Sequence, residues 1–185
     1  MNTQIYTKSL EVQRAAFCQR RFLAMPLAGI LCWTIVGITG VFLPTHIAAL
    51  VLFIATGSIV YIAMFFSRFT GETFFHKEKN TFDRLFFYGL LMSLLVYSIA
   101  IPFFLQDPTS LPLTVGILTG LMWLPFSWIV QHWVGMFHSV SRTLLIVAAW
   151  YLFPEQRFVA IPIVIIAIYA ISIWALERRW RALKH

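Results

Sequence analysis

Long stretches of this chain carry no charge, and their lengths predict its elements. Phe22 to Ser67 contains no Asp, Glu, Lys or Arg across 46 residues, broken only by Leu43-Pro44-Thr45-His46. A hydrocarbon core of about 30 Å needs about 20 apolar residues per helical crossing. Two spans are therefore expected here, at 22–43 and 46–66. The loop 67–84 is the most polar segment, with Arg68, Glu72, His76, Lys77, Glu78, Lys79, Asp83 and Arg84. A third span is expected at 85–105, closed by the turn-like Gln106-Asp107-Pro108-Thr109-Ser110. Pro108 to Pro154 then holds 47 residues and one charge, Arg142, which predicts two more spans at 111–130 and 133–153. Pro154-Glu155-Gln156-Arg157 forms a tight turn before a sixth span, 158–176, and a tail, 177–185.

The pattern predicts an all-α polytopic membrane protein, a single transmembrane domain over residues 1–185 built as a six-helix bundle. Pro26, Pro102, Pro125 and Pro162 fall within spans and are expected to kink them. Composition agrees: 60% of residues are hydrophobic and 11% charged, with a mean hydropathy of +0.82. A soluble domain is about one quarter charged, so a water-facing fold is excluded.

A net charge of +7 raises the question of nucleic-acid binding. Position answers it. With six spans and the N-terminus inside, thirteen of the 14 basic residues fall on the cytoplasmic side, in 1–21, 67–84, at Arg142 and in 177–185. Only Arg157 lies outside, the positive-inside asymmetry of a bacterial inner-membrane protein with both termini cytoplasmic. No nucleic-acid partner is expected. Cys18 and Cys32, about 21 Å apart along a helix, read as free thiols. The 21 mixed residues before a long apolar run do not resemble a cleavable signal peptide.

Catalytic motifs are missing: no H-E-x-x-H, G-x-S-x-G, C-x-x-C or P-loop occurs, so no catalytic residue or cofactor is assigned. No Asp or Glu falls inside an expected span, which argues against a proton- or sodium-coupled pump. The informative stretch is Trp123 to Arg142. Arg142 falls near the middle of the fifth span, where a charge is costly and usually marks function. His132, Gly135, Ser139 and Arg142 recur at i, i+3, i+7 and i+10, and His138 sits four residues before Arg142. His132, His138, Ser139 and Arg142 are thus the candidate binding residues, a polar pocket for a carboxylate or lipid phosphate. The plainer alternative is an interfacial turn among lipid headgroups. Two histidines without a nearby Cys or carboxylate make a weak metal set, and no metal is expected. Glu72, Glu78 or Asp83 could pair with Arg142. Trp123, Trp128, Trp133, Trp150, Trp174 and Trp180 suggest an interfacial aromatic belt. Gly116 and Gly120 allow a close helix crossing, expected inside the monomer rather than in a dimer.

Trp33, Gly40-Val-Phe-Leu-Pro44 and Gly120-Leu-Met-Trp-Leu-Pro-Phe-Ser-Trp128, behind a basic N-terminus, resemble a family of small uncharacterised bacterial integral membrane proteins, classed as a domain of unknown function. The resemblance spans most of residues 20–176 and implies no activity. That family tends to have His and Tyr where this chain has Met122 and Phe126. Three functions stay open. One is a facilitator or substrate-binding membrane component for an anionic or amphiphilic small molecule. The second is a scaffold or accessory subunit, partnered by membrane lipid, a second copy or another membrane subunit. The third is a lipid-modifying intramembrane enzyme, for which no nucleophile or metal set is visible.

Overall fold

The structure, a computed structural model, describes residues 9–74 and 80–184. Lys8, His76, Lys77, Glu78 and Lys79 lie outside the described residues. The elements are α1 (Leu10–Cys18), α2 (Ala24–Phe42), α3 (Thr45–Thr70), α4 (Thr81–Leu95), α5 (Tyr97–Gln106), α6 (Leu111–Gly120), α7 (Trp123–Val130), α8 (Val134–Leu152) and α9 (Arg157–Ala182). Short 3-10 turns, Pro108–Ser110 and Pro154–Gln156, lead into α6 and α9, and no strand occurs among the described residues. Five stretches are long and apolar enough to cross a membrane: Ala24–Phe42, Thr45–Thr70, Thr81–Gln106, Pro108–Val130 and Pro154–Ala182. The outward surface is correspondingly apolar, with Phe42, Leu105, Tyr151 and Leu152 each more than 70% exposed. Such a surface is that of a membrane protein.

Capping chemistry sets the helix ends, several of which differ from the hydropathy boundaries. α3 runs on to Thr70 and stops at Gly71, whose φ of 72° is the left-handed conformation that glycine adopts without strain. α4 starts at Thr81 because Asn80 caps it, its Oδ1 accepting from Phe82 N at 2.8 Å. α2 has no cap of its own. Its first N–H groups, of Leu23 and Ala24, both donate to Glu72 Oε1 at 2.9 Å from the turn after α3. Burial pushes the Glu72 carboxyl up from its ordinary value, and those two bonds pull it partly back. α9 extends to Ala182, beyond the apolar run, through the Glu177–Arg181 pair and a last turn whose Arg179 and Arg181 suit the helix dipole.

The prolines act unequally. α9 is continuous through Pro162, and Pro26 lies in the first turn of α2, where no intrahelical bond is lost. The long third and fourth apolar runs are instead interrupted, at Val96 and at Leu121–Met122. The second break has a local cause. Pro125 has no N–H for the carbonyl of Leu121, and the N–H of Leu124 turns to that carbonyl at 3.1 Å.

Around the core, α2 packs against α3 and α9, and α8 packs against α9, α6 and α7. α4 and α5 lie at the periphery. Trp33, Leu52, Leu111, Ile129, Ile146, Ile161, Ile165 and Leu176 fill the interior. The N-terminal segment holds a helix that hydropathy did not anticipate. In α1, Gln13 and Phe17 turn inward against α4 and α7. Arg21 pairs with Glu177, and Arg179 donates to the carbonyl of Cys18, so the end of α1 and the last turns of α9 meet at one end of the bundle. Arg20 pairs with Asp83 there too.

α7 and α8 cross closely at Gly135. A Cβ on Gly135 would lie 2.3 Å from the carbonyl oxygen of Trp123 and 2.7 Å from Ser127 Cβ, and that backbone cannot yield. Gly57 in α3 has nothing within 4 Å of its Cβ position. Gly135→Ala should therefore cost about 1–3 kcal/mol or abolish folding, whereas Gly57→Ala should leave the melting temperature in detergent unchanged or raise it. Equal melting of the two variants would contradict this packing.

Candidate functional site

α8 carries two faces. Gly135, His138, Ser139, Arg142, Ile146 and Ala149 are buried, while Met136, Val140, Leu144, Val147 and Tyr151 are exposed. The helical period thus puts His138, Ser139 and Arg142 on the inner side, with Ser141 and Thr143 half-buried at its flanks. Arg142 lies eight residues into the helix, about 12 Å along its axis. Its side chain is 1% exposed.

Three helices surround the guanidinium with neutral groups. One Nη donates to Tyr169 Oη of α9 and meets His138 Nε2, each at 3.3 Å, and the other donates to Thr119 Oγ1 of α6 at 3.2 Å. The rings of Trp33 and Tyr169 lie 5.7 and 5.4 Å from its central carbon, within cation–π range. Among the described residues no carboxylate pairs with it.

The remaining bonds fix the protons. Ser172 Oγ donates to the carbonyl of Ile168 at 2.8 Å, so it can only accept from His138 Nδ1, 2.9 Å away. Nδ1 of His138 therefore holds the hydrogen, and Nε2 offers its lone pair to Arg142. In this network the imidazole is neutral, with one donor and one acceptor nitrogen. It is stacked on Trp123, with centroids 4.0 Å apart and planes 11° from parallel.

Donors then exceed acceptors. A guanidinium has five N–H groups, and the contacts to His138, Tyr169 and Thr119 use three. Arg142 Nε is buried without a partner. The Thr119 hydroxyl is already committed to the Val115 carbonyl at 2.6 Å, and the Tyr169 hydroxyl hydrogen has no acceptor among the described residues. The cluster has one net positive charge and spare N–H and O–H groups, which is the chemistry that holds an anion.

Helix 6 makes room for the arginine. A Cβ on Gly120 would sit 2.9 Å from Arg142 Cδ and 3.1 Å from Nε, and one on Gly116 would press on Ile146 and Ile165. This close approach is internal to the chain. The break caused by Pro125 has a second effect: the N–H of Leu124 no longer reaches Gly120, whose carbonyl accepts from Ser139 Oγ at 2.9 Å.

Of the four candidate residues, His138 and Arg142 come together. Ser139 is buried beside them but bonds Gly120, not the guanidinium. His132 lies apart, because α8 begins only at Val134 and the face it was expected to share starts at Gly135. Its Nδ1 accepts from Val134 N at 3.3 Å, capping α8. Burial, then the charge of Arg179, holds its pKa below the ordinary imidazole value. The expected acidic partners are engaged elsewhere, Glu72 on α2 and Asp83 on Arg20, and Glu78 lies outside the described residues. Trp123 is a wall of the cluster rather than part of a belt. Thr119, Tyr169, Ser172 and Trp33 were missed, since a lone hydroxyl or ring in an apolar run has no spacing to mark it.

An all-helical protein with five helices fit to cross a membrane, closed around an arginine without a carboxylate partner among the described residues, is the class that fold and site define. The chain belongs to a family of unknown function, DUF7010, whose model matches residues 12–179. No curated protein and no solved structure matches it.

The tautomer can be measured. Nitrogen NMR of selectively labelled protein should show His138 neutral with its hydrogen on Nδ1 at neutral pH, and Arg142→Leu should alter its Nε2 shift. An imidazolium, or a hydrogen on Nε2, would overturn the assigned network.

Proposed function

We propose that this protein is a small substrate-binding membrane component or facilitator that holds an anionic group, a carboxylate or phosphate, against Arg142 inside the bilayer. The observation that carries the reading is the buried guanidinium with neutral partners only and an unpartnered Nε. A midplane charge costs from about 2.5 to well above 10 kcal/mol, and an anionic ligand would offset much of that.

In this reading α8 is a sixth crossing. Its 19 residues span about 28 Å, and its His138 and Arg142 are hidden from lipid by α6 and α9. The end bearing α1, Arg68, Arg84 and the C-terminal arginines faces the cytoplasm of a bacterial cell, by the positive-inside rule. Arg157 sits at the other end, against Asp107 and Trp150.

The enclosure of Arg142 also favours a second reading, in which the arginine only pins α6, α8 and α9 together in a scaffold or accessory subunit. Melting curves in detergent with chloride, acetate, phosphate, decanoate and a lysophospholipid as probes separate the two. At one hundred times its Kd, a bound anion should stabilise the wild type by about 2.7 kcal/mol, and Arg142→Leu should abolish that shift while still inserting. If no probe moves the wild type and no anion stays with the purified protein, the scaffold reading replaces this one.

A further inference from the structure

The two ends of the Arg142 cluster are sealed differently. Away from α1, the next layer is branched aliphatic: Val115 and Leu111 of α6, Ile146 of α8, Ile165 and Ile161 of α9, all fully buried. These side chains come from the mutually packed helices of the core. Toward α1 the seal is a file of aromatic rings. His138 stacks on Trp123; Trp123 meets Phe126 edge-on at 5.4 Å, and Phe126 meets Phe22 at 5.1 Å. Phe22 lies 5.2 Å from Phe17, the 1% exposed side chain by which α1 enters the bundle.

α1 itself is held by polar bonds, from Arg14 and Cys18 at its rim and to the inward Gln13. Arg14 donates to the carbonyl of Trp128 at 3.2 Å and covers that ring at 4.0 Å. Cys18 Sγ donates to the carbonyl of Ile129 at 3.3 Å, and Thr81 donates through N and Oγ1 to Gln13 Oε1 at 2.9 Å. Water can replace each of these bonds at an interface, whereas nothing replaces the contacts of the aliphatic layer. The non-helical residues 19–23 join α1 to α2 and are themselves anchored by Arg20 and Arg21. They are a pivot.

We infer that the Arg142 site opens toward the α1 end only, and that α1 is its lid, with Phe17 as the plug. The inference rests on the anion-binding reading and gives it a direction: an anion arrives and leaves at one face, and its entry displaces Phe17 and the rings behind it. Such a site is a one-sided receptor, and passage to the opposite face would require a second rearrangement of the aliphatic layer.

Thiol labelling tests the lid without any ligand. In a Cys18→Ser, Cys32→Ser background, Ser139→Cys supplies one reporter beside Arg142. It is exposed to the membrane-impermeant anion methanethiosulfonate ethylsulfonate from either side, in right-side-out and inverted vesicles. Labelling should occur from the α1 side alone, and Phe17→Ala or, separately, Arg14→Gln should speed it at least tenfold. Arg14 is half-buried at the rim rather than in the core, so its variant keeps the test alive should Phe17→Ala fail to fold. Rates unchanged by both variants, or labelling from the opposite side, would overturn the lid. The reagent reports access whether or not an anion is held, so lid-dependent labelling beside flat melting curves would remove the ligand reading and leave the lid.

Discussion

A guanidinium cannot be deprotonated at any biological pH, so a chain that buries one must solvate it from its own groups. Arg142 imposes that demand at the middle of α8, and the core of the bundle is arranged to meet it. α6 supplies Thr119, α9 supplies Tyr169 and Ser172, and α2 supplies the face of Trp33. None of these is an anion. Hydrogen bonds and ring faces lower the cost of burial, each by an amount of order 1 kcal/mol or somewhat more, and they leave the charge itself unneutralised. This is what separates the cluster from a structural ion pair such as Arg21–Glu177 at the bundle end, where both charges are satisfied.

The backbone accommodates the cluster at one place. Pro125 withdraws an N–H from the fourth apolar run, the helix breaks at Leu121–Met122, and the carbonyl of Gly120 becomes free to receive Ser139. At the same residue the absent side chain leaves space for Arg142 Cδ and Nε. Past the break α7 redirects Trp123 across His138, and Gly135 lets α8 approach the start of α7 closely enough for that stack. Proline, two glycines and a tryptophan within sixteen residues thus position one imidazole and one guanidinium.

Polarity along the bundle is built from the same parts. The end bearing α1 collects basic residues whose cations rest on tryptophan rings, as with Arg14 on Trp128, Arg21 on Trp180 and Lys184 on Trp180. Cation and ring together suit the headgroup region, where one side of the pair is wet and the other apolar. Among the described residues the opposite end has one such pair, Arg157 on Trp150. The two ends of the bundle thus differ in charge and in the side chains that seal the central cation.

Hydropathy alone determined the class, the positions of the apolar runs and the anomaly of Arg142, because burial in lipid demands about 20 uncharged residues in a row and any exception stands out. It also marked His138, four residues away on the same face. What stayed illegible was the rest of the shell. Thr119, Tyr169, Ser172 and Trp33 are ordinary residues of apolar helices until α2, α6 and α9 are packed against α8. His132 looked continuous with the cluster by spacing, and only the helix start at Val134 removed it. The buried face of α1 was hidden for a related reason: a nine-residue helix with two inward side chains has too short a period to distinguish from a polar leader. Periodicity reports which face of one helix is turned inward, but which atoms meet there is decided by pairs of residues far apart in sequence, and those contacts exist only once the helices have closed on each other.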